Sequence, residues 1–176
     1  EKDINKAIEN YERAIEYGNE TAPMKLGLIY LNGDGVQQDY AKAKEYYELA
    51  SRLDNPNSYS KLGYIYSTGK GVEVDYIRAK EFFEVGASKN DPESIHNLAN
   101  LYFVGFGVEK DINKALQLFE KAASLNYSRS TFTLAMIYLK GEVVEKNADL
   151  ALQLLNLAAH QKDLAAMAIL EQLRNT

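Results

Sequence analysis

The sequence predicts an all-α fold, a solenoid of stacked helix pairs, and three observations lead to this prediction. The segment EKDINKA at residues 1–7 recurs letter for letter at residues 109–115, an offset of 108 residues, which is three times 36. Weaker copies begin at Gln37 (QQDYAKA), Glu73 (EVDYIRA) and Glu145 (EKNADLA). Apolar residues recur in each copy at spacings of three and four, which is the spacing of a helical face. A fixed period of this length indicates repeats that share a continuous core.

The first helix of the repeat, helix A, is defined by a Leu column and a Tyr column four residues apart. This spacing places both on one helical face, and the Gly or Ala after each Leu lets a neighbouring helix approach closely. We expect helix A to run from about Pro23 to Leu31 in the first full repeat. The columns are Leu26, Leu62, Leu98, Leu134 and Leu170; Tyr30, Tyr66, Tyr102 and Tyr138; and the small residues Gly27, Gly63, Ala99 and Ala135.

A Gly-x-Gly-Val turn follows helix A in three repeats, where glycine ends a helix and supplies positive φ cheaply. In the fourth repeat Val143 replaces the second glycine, and we expect a reshaped turn because positive φ is costly for a β-branched residue. A phosphate-binding loop is the alternative interpretation of GDGV and GKGV, but such loops follow a strand or end in Gly-Lys-Ser/Thr. The turn residues are Gly33, Gly35 and Val36; Gly69, Gly71 and Val72; and Gly105, Gly107 and Val108.

The second helix, helix B, begins after an Asp or Asn whose side-chain oxygen caps the first turn and contributes about 1 kcal/mol. A small, a large and a small residue then form one apolar stripe. Neither helix can bury its stripe alone, so successive pairs must stack. The caps are Asp3, Asp39, Asp75, Asp111 and Asn147. The stripes are Ala7, Tyr11 and Ala14; Ala43, Tyr47 and Ala50; Ala79, Phe83 and Gly86; Ala115, Phe119 and Ala122; and Ala151, Leu155 and Ala158.

The stretches LGLIYLNGDGVQQDYAKAKEYYELA and LGYIYSTGKGVEVDYIRAKEFFEVGA resemble the Sel1-like repeat (SLR) family, which is related to the tetratricopeptide repeat. The resemblance covers essentially the whole chain, and paired turn glycines with an Asp before the second helix distinguish it from the tetratricopeptide pattern. We therefore expect at least eight antiparallel helices in a right-handed superhelix without strands. The resemblance implies an adaptor that holds proteins or peptides on a curved surface and generally lacks catalysis.

The period divides the chain into the parts of one repeat domain, residues 1–176. Glu171 stands in the small-residue column of the last helix, which indicates a terminal cap with a wet outer face and an array that ends near Thr176. Glu1 falls within a repeat, so we expect sequence upstream of it, and an export signal there leaves the compartment open. The parts are a truncated repeat at 1–20, full repeats at about 21–56, 57–92, 93–128 and 129–163, and a capping helix at 164–176.

Composition and charge exclude several classes of function. A net charge of −5 opposes nucleic-acid binding, which needs clustered Lys and Arg. No apolar run approaches the roughly 20 residues that span a bilayer, so we expect no membrane insertion. The absence of Cys excludes a disulfide framework and a thiolate metal site. His96 and His160 lie far apart without a second ligand, which supports neither a metal site nor a Ser-His-Asp arrangement.

The acidic residues give no sign of catalysis. The carboxylates of EYYE and EFFE bracket buried aromatic residues at helical spacing and are interpreted as a solvated helix face. A hydrolase, the less favoured alternative, would need facing carboxylates in a cleft. The Tyr column is in register with the Leu column, which assigns it to the core rather than to an aromatic ligand site. We predict a protein that is not an enzyme and has no cofactor.

The candidate partner-binding residues lie on the A face, the side of helix A opposite the Leu and Tyr columns, at positions −2, −1, +2 and +6 from each Leu. This face changes from repeat to repeat, whereas outward helix B positions repeat Lys and Glu, as at Lys44 and Glu48. By resemblance to related solenoids it lines a concave groove, where apolar anchors among amides and lysines suit a protein or peptide ligand. Ordinary exposed residues are one alternative, and a self-associating module that forms a weak homodimer is another. The candidates are Met24, Lys25, Leu28, Lys61, Tyr64, His96, Asn97, Asn100, Phe132 and Met136.

Overall fold

The computed structural model describes residues 3–174, and this part of the chain contains ten α-helices and no strand. Even-numbered helices are of type A and odd-numbered helices of type B, which confirms the predicted all-α fold of alternating helices. The helices are α1 (Ile4–Glu16), α2 (Ala22–Asn32), α3 (Tyr40–Arg52), α4 (Asn57–Thr68), α5 (Tyr76–Ser88), α6 (Pro92–Val104), α7 (Ile112–Ser124), α8 (Ser128–Lys140), α9 (Ala148–His160) and α10 (Leu164–Arg174).

The chain divides into two compact blocks, an N-terminal block through Ser94 and a C-terminal block from Ile95. Within the blocks α2, α4 and α8 pack extensively on the helix B that follows each of them. The N-terminal block has a buried core of Leu31, Ala43, Tyr47, Leu62 and Ile65. The C-terminal block has one of Ala135, Leu155, Ala158 and Ala166. The predicted repeat boundaries stay a prediction.

The start of helix B is fixed by the predicted caps. In all five B helices the Asp or Asn side chain accepts a hydrogen bond from the backbone amide three residues later, at 2.9 to 3.1 Å. In the four of these helices that follow a helix A, the backbone amide of the cap also donates to the carbonyl of the preceding Tyr-column residue, as from Asp75 to Tyr66 at 2.9 Å. These two bonds tie the start of helix B to the end of helix A.

The glycine turns have the predicted backbone conformation. Gly69 and Gly71 have φ of 69° and 74°. A Cβ on Gly71 would lie 2.7 Å from the Cβ of Tyr40, the first residue of α3, so glycine allows the turn to approach the preceding helix B. Gly141 keeps a positive φ of 68° in the fourth turn, but Val143 does not adopt positive φ. The fourth turn is therefore reshaped, as predicted.

The small residues of helix A accommodate rings from helix B. A Cβ on Gly27 would lie 2.5 Å from the ring of Tyr47, and one on Gly63 would overlap the ring of Phe83. Both rings are buried. In the fourth repeat Ala135 stands in this column, and the buried residue of helix B is the smaller Leu155. The first, second and fourth repeats thus pair a smaller residue on one helix with a larger one on the other, whereas the third repeat packs Ala99 and the ring of Phe119 in these columns.

The ends of the B helices share a feature that the sequence analysis did not identify. The second residue after each of these helices has left-handed φ: Gly18 at 78°, and then four non-glycine residues. Each ending also has a backbone bond from the following amide to a carbonyl five residues earlier, such as Asn55 to Ala50 at 3.0 Å. The non-glycine residues are Asp54, Asn90, Asn126 and Lys162, with φ between 59° and 67°.

Candidate partner-binding surface

The predicted A-face residues lie in both blocks, and they range from exposed to buried. Lys25 and Leu28 are exposed, and His96 is buried. Glu171, which the sequence assigns to a wet terminal face, is exposed. The remaining candidates are half-buried: Met24, Lys61, Tyr64, Asn97, Asn100, Phe132 and Met136.

His96 lies inside the protein, which corrects its assignment to the A face. It is 4% exposed, its Nδ1 lies 2.8 Å from the hydroxyl of Ser130, and its ring centre is 5.3 Å from those of Phe119 and Tyr127. Burial, with a smaller contribution from the Arg129 guanidinium, lowers the pKa of His96 to about 4, so the imidazole is neutral at pH 7. Position −2 fails as an outward position here because it packs against the next helix A.

Contacts between successive A helices also engage Lys61. Its Nζ lies 2.6 and 2.8 Å from the two carboxylate oxygens of Glu93 in α6. The neighbouring Ser60 is fully buried, and its hydroxyl donates to the carbonyl of Asn57 at 2.8 Å. Lys61 is therefore a paired, half-buried cation, whereas Lys25 is exposed.

Tyr64 belongs to a site that the second glycine turn closes. Lys70, between the two turn glycines, has its Nζ 5.0 Å from the ring centre of Tyr64 and 5.4 Å from that of Tyr40. This is a cation–π arrangement, and a hydrogen bond to the Tyr64 hydroxyl raises the pKa of Lys70. Leu31 and Ile65, near this site in the repeat, are 7% and 0% exposed. The N-terminal block leaves little open apolar surface here.

In the C-terminal block a pocket of about 240 Å³ is open at the corresponding place, between α6, α7, α8 and the fourth turn. We call it the anchor pocket. The structure brings together three predicted residues in its lining, Asn100, Phe132 and Met136, beside the buried ring of Phe119. The other lining residues are Phe103, Thr133, Ile137, Lys140, Glu142 and Val143.

Two further cavities lie near the two ends of the described chain. One of about 400 Å³ lies between α1 and α2, against the half-buried stripe residue Tyr11. The other, of about 450 Å³, lies between α9 and α10 and is lined by Met167, Leu170 and Glu171 among others. Met167 and Leu173 are 49% and 53% exposed, so α10 presents apolar side chains to solvent.

The described residues assemble no metal cluster, and the Ser130–His96 pair is buried. No group of three or more His, Asp or Glu side chains within residues 3–174 could hold a metal ion. The hydroxyl and imidazole of Ser130 and His96 are paired, but Ser130 is fully buried and out of reach of a substrate. The acids of EYYE and EFFE are exposed or half-buried, as expected of a solvated helix face. Glu48 forms a salt bridge with Lys44 at 3.4 Å. Over the same stretch no helix has the length and apolar character needed to cross a bilayer.

The repeat signature decides the family. The sequence model of the Sel1 repeat matches five segments, residues 1–19, 24–55, 56–91, 92–127 and 128–163. The chain belongs to the Sel1 repeat family. Sel1 repeats typically act as scaffolds for protein interactions and are generally non-catalytic. Family membership, inferred above from the turn glycines and the helix B caps, is thereby confirmed.

Solved structures with the same fold support this assignment. A Sel1 repeat protein from Oxalobacter formigenes is 29% identical, with a TM-score of 0.82 over 94% of this chain and 68% of its own. The protective antigen c5321 of uropathogenic Escherichia coli, which displays an SLR fold, is 33% identical, with a TM-score of 0.79 over 94% of this chain and 35% of its own. The immunity protein Pa5087 of Pseudomonas aeruginosa is 25% identical, with a TM-score of 0.69 over 90% of this chain and 59% of its own. This Sel1 chain thus spans less than two thirds of the last two proteins. No curated protein sequence matches it.

The anchor pocket of this Sel1 protein was not predicted as a unit. Asn100, Phe132 and Met136 were predicted to be outward residues, but no role was predicted for Phe103 or for the fourth turn. A signal was present in Val143, the departure from the family's turn glycine. A departure of this kind marks a position where a repeat differs in shape from its neighbours.

Proposed function

We propose that this Sel1 repeat protein is a non-catalytic scaffold that binds a protein or peptide through the A face. The observation that carries the proposal is the anchor pocket, where half-buried Phe132 and Met136 form apolar surface beside the amide of Asn100. Partner-binding sites concentrate their binding energy in such apolar clusters, with a few polar groups that fix orientation.

The N-terminal block has A-face residues of its own. Leu28 is 42% exposed on α2 next to the exposed Lys25, and Tyr64 is half-buried on α4. Tyrosine is enriched at interface hot spots because it combines a large apolar ring with a hydroxyl. Replacing Tyr64, or Asn97 of the C-terminal block, by Ala is expected to weaken partner binding by about 1 kcal/mol or more. Neither residue belongs to the Leu and Tyr columns, so thermal stability should change little.

Site-specific photo-crosslinking in the source cell tests the face that is used. A photoreactive phenylalanine is placed at Leu28 or Asn97 on the A face, and at Glu45 or Glu81 on helix B as matched controls, since both acids are exposed. The proposal predicts protein adducts from the two A-face positions and none from the two helix B positions. Adducts that form only from Glu45 and Glu81 would show that helix B carries the site.

Self-association is a second candidate because the last helix exposes apolar side chains. Leu164, Met167 and Leu173 of α10 are 79%, 49% and 53% exposed. An exposed patch of this kind is typical of a protein interface. Sedimentation at several protein concentrations distinguishes the candidates, since self-association gives a dimer whose fraction rises with protein concentration. A concentration-dependent dimer that Met167→Lys abolishes would favour self-association.

A further inference from the structure

We propose that Val143 opens the anchor pocket and that the pocket receives one large apolar side chain of a partner segment with a carboxylate next to it. This inference rests on the proposed scaffold function and specifies its ligand. It assigns to the fourth repeat a recognition site that the second repeat, with the same framework, lacks. Three steps support it: the shape of the turn, the size of the pocket and the charges around it.

The turn of the second repeat lies against the start of the preceding helix B. A Cβ on Gly71 would be 2.7 Å from Tyr40, and in the first repeat a Cβ on Gly35 would be 3.3 Å from Ile4. A valine carries two further methyl groups and avoids positive φ, so Val143 cannot make the same approach to the corresponding Ile112. The fourth turn takes another path, and its residues line the pocket instead of closing it.

The size and lining of the anchor pocket fit one side chain. Its volume of about 240 Å³ lies below the roughly 300–1,000 Å³ of sites for drug-sized ligands. Six of its ten lining residues are apolar, and Phe103 and Phe119 meet at a ring-centre distance of 6.3 Å with a tilt of 62°. Aromatic walls of this kind favour a further aromatic or large aliphatic group. At the rim the amide of Asn100 can bond both a peptide N–H and a peptide carbonyl.

The cation at the pocket, Lys140, can pair with an acidic neighbour of that side chain. Two charged residues line the pocket, Lys140 and Glu142, and α6 contributes no ionised group from Ile95 onward because His96 is neutral. Lys140 lines the rim and forms no ion pair with any described residue. Glu142 is the acid of the lining. A carboxylate of the partner is therefore complementary to Lys140 and distinguishes partners by charge.

Methyl NMR of the methionines reads the pocket directly. The chain has three Met residues: Met136 lines the anchor pocket, Met24 lies on α2, and Met167 lines the cavity by α10. The protein with ¹³C-methyl methionine is titrated with the capped tripeptides Ac-Asp-Phe-Asp-amide, Ac-Lys-Phe-Lys-amide and Ac-Asp-Ala-Asp-amide. The alanine peptide controls for charge alone, and the lysine peptide controls for the ring alone.

The proposal predicts that Ac-Asp-Phe-Asp-amide shifts the Met136 methyl signal and leaves those of Met24 and Met167 in place. It also predicts binding about three-fold tighter than that of the lysine peptide, the effect expected of one exposed charge pair. No shift of Met136 with any peptide would overturn the inference. A shift of Met24 alone would overturn it as well, while supporting the scaffold proposal through the N-terminal block.

Three variants separate the roles of the turn and of the charge. Val143→Gly restores the turn of the other repeats, so the protein should stay folded while the Met136 shift weakens several-fold. Lys140→Gln should abolish the preference for the acidic peptide, whereas its matched control Lys25→Gln, an exposed lysine on the A face of the N-terminal block, should leave it unchanged. Glu142→Gln should strengthen binding of the acidic peptide. Unchanged binding in Val143→Gly would show that Val143 does not open the pocket.

Discussion

Two corresponding places in the Sel1 array differ although their framework is the same. At the second turn Lys70 lies between two tyrosine rings, and the apolar residues nearby are buried. Seventy-two residues later, two repeats on, the same place is an open pocket of about 240 Å³. The residues that correspond at the two places are Tyr64 and Met136, Lys70 and Glu142, and Gly71 and Val143.

The residues that form the fold are the same at the two places, whereas the residues that form the surface differ. The Leu column, the helix B caps and the bond from each cap to the Tyr column are present in both blocks. A few substitutions outside these columns remove the cation–π contact that covers the second-repeat site. They also replace the ring of a tyrosine by the flexible side chain of Met136, and methionine is suited to adaptable binding surfaces. A scaffold can therefore change its ligand without a change of fold.

Truncation of the Tyr column should lower the free energy of unfolding by a similar amount in both blocks. This is the largest of the expected effects. Tyr66 and Tyr102 are 7% and 9% exposed, with the side chains of Arg78 and Lys114 over their rings. Replacing either tyrosine by Ala should lower the free energy of unfolding by about 3 to 5 kcal/mol. Chemical denaturation measures the loss, with Tyr17→Ala, at an 83% exposed position, as the control. A loss at only one of the two tyrosines would break the equivalence.

Exchanging glycine and valine should have different effects on stability in the second and fourth turns. Gly71→Val places a β-branched residue at a φ of 74° and against Tyr40, and it should lower the free energy of unfolding by about 2 to 4 kcal/mol. Val143→Gly should change it by less than about 1 kcal/mol, because Val143 does not occupy that conformation. Thermal unfolding of the two variants compares them. Equal losses would mean that the two turns have the same shape.

Acid should destabilise the C-terminal block through His96. Its folded pKa of about 4 lies below the ordinary value of 6.5, so the unfolded chain binds the proton first and stability falls as the pH drops from 6.5 towards 4. Between pH 7.5 and pH 5 the loss due to His96 should be about 2 kcal/mol. The measurement is the pH dependence of unfolding in the wild type minus that in His96→Met, which carries the residue of the first repeat. If the free energy of unfolding had the same pH dependence in both proteins, His96 would not contribute to acid destabilisation.

The helix B caps should make small and equal contributions. Asp75 and Asp111 each accept a backbone bond at 2.9 Å, one in each block. Replacement by Ala should lower the free energy of unfolding by about 1 kcal/mol in both cases, and replacement by Asn should restore most of it because Asn is an equally good cap. Denaturant titrations of the four variants provide the test. A loss above about 3 kcal/mol at either site would indicate a role beyond capping.

Features of the fold that depend on neighbouring residues along the chain were predictable from the sequence. The cap at Asp39 and the turn glycine Gly33 follow from the chemistry of a few adjacent residues. The left-handed residues Asn90 and Lys162 were not predicted because neither is glycine, and only the period reveals that they occupy the position of Gly18. Lys162 in this position is the more costly case, because Asn tolerates left-handed φ better.

The candidate surface was predictable only in part because exposure depends on packing between repeats. Asn100 and Met136 were identified from their position relative to Leu, and both line the anchor pocket. His96 was assigned outward by the same rule, yet Ser130 of α8 and the preceding residue Tyr127 cover it. A helical face read from one repeat cannot reveal what the next repeat places against it. The pocket itself arises from a turn, to which the helical rule does not apply.

The central claim is that the open pocket of the fourth repeat, and not the shared framework, recognises the partner. A variant with Met136→Tyr, Glu142→Lys and Val143→Gly carries three of the four residues of the closed second-repeat site on the fourth repeat, and Ile112 remains at the position of Tyr40. The measurement is the dissociation constant of fluorine-labelled Ac-Asp-Phe-Asp-amide by fluorine NMR, for the wild type and for this variant. The account predicts a dissociation constant at least about ten-fold higher, a difference of about 1.4 kcal/mol, with an unchanged melting temperature. Equal dissociation constants for the two proteins would contradict it.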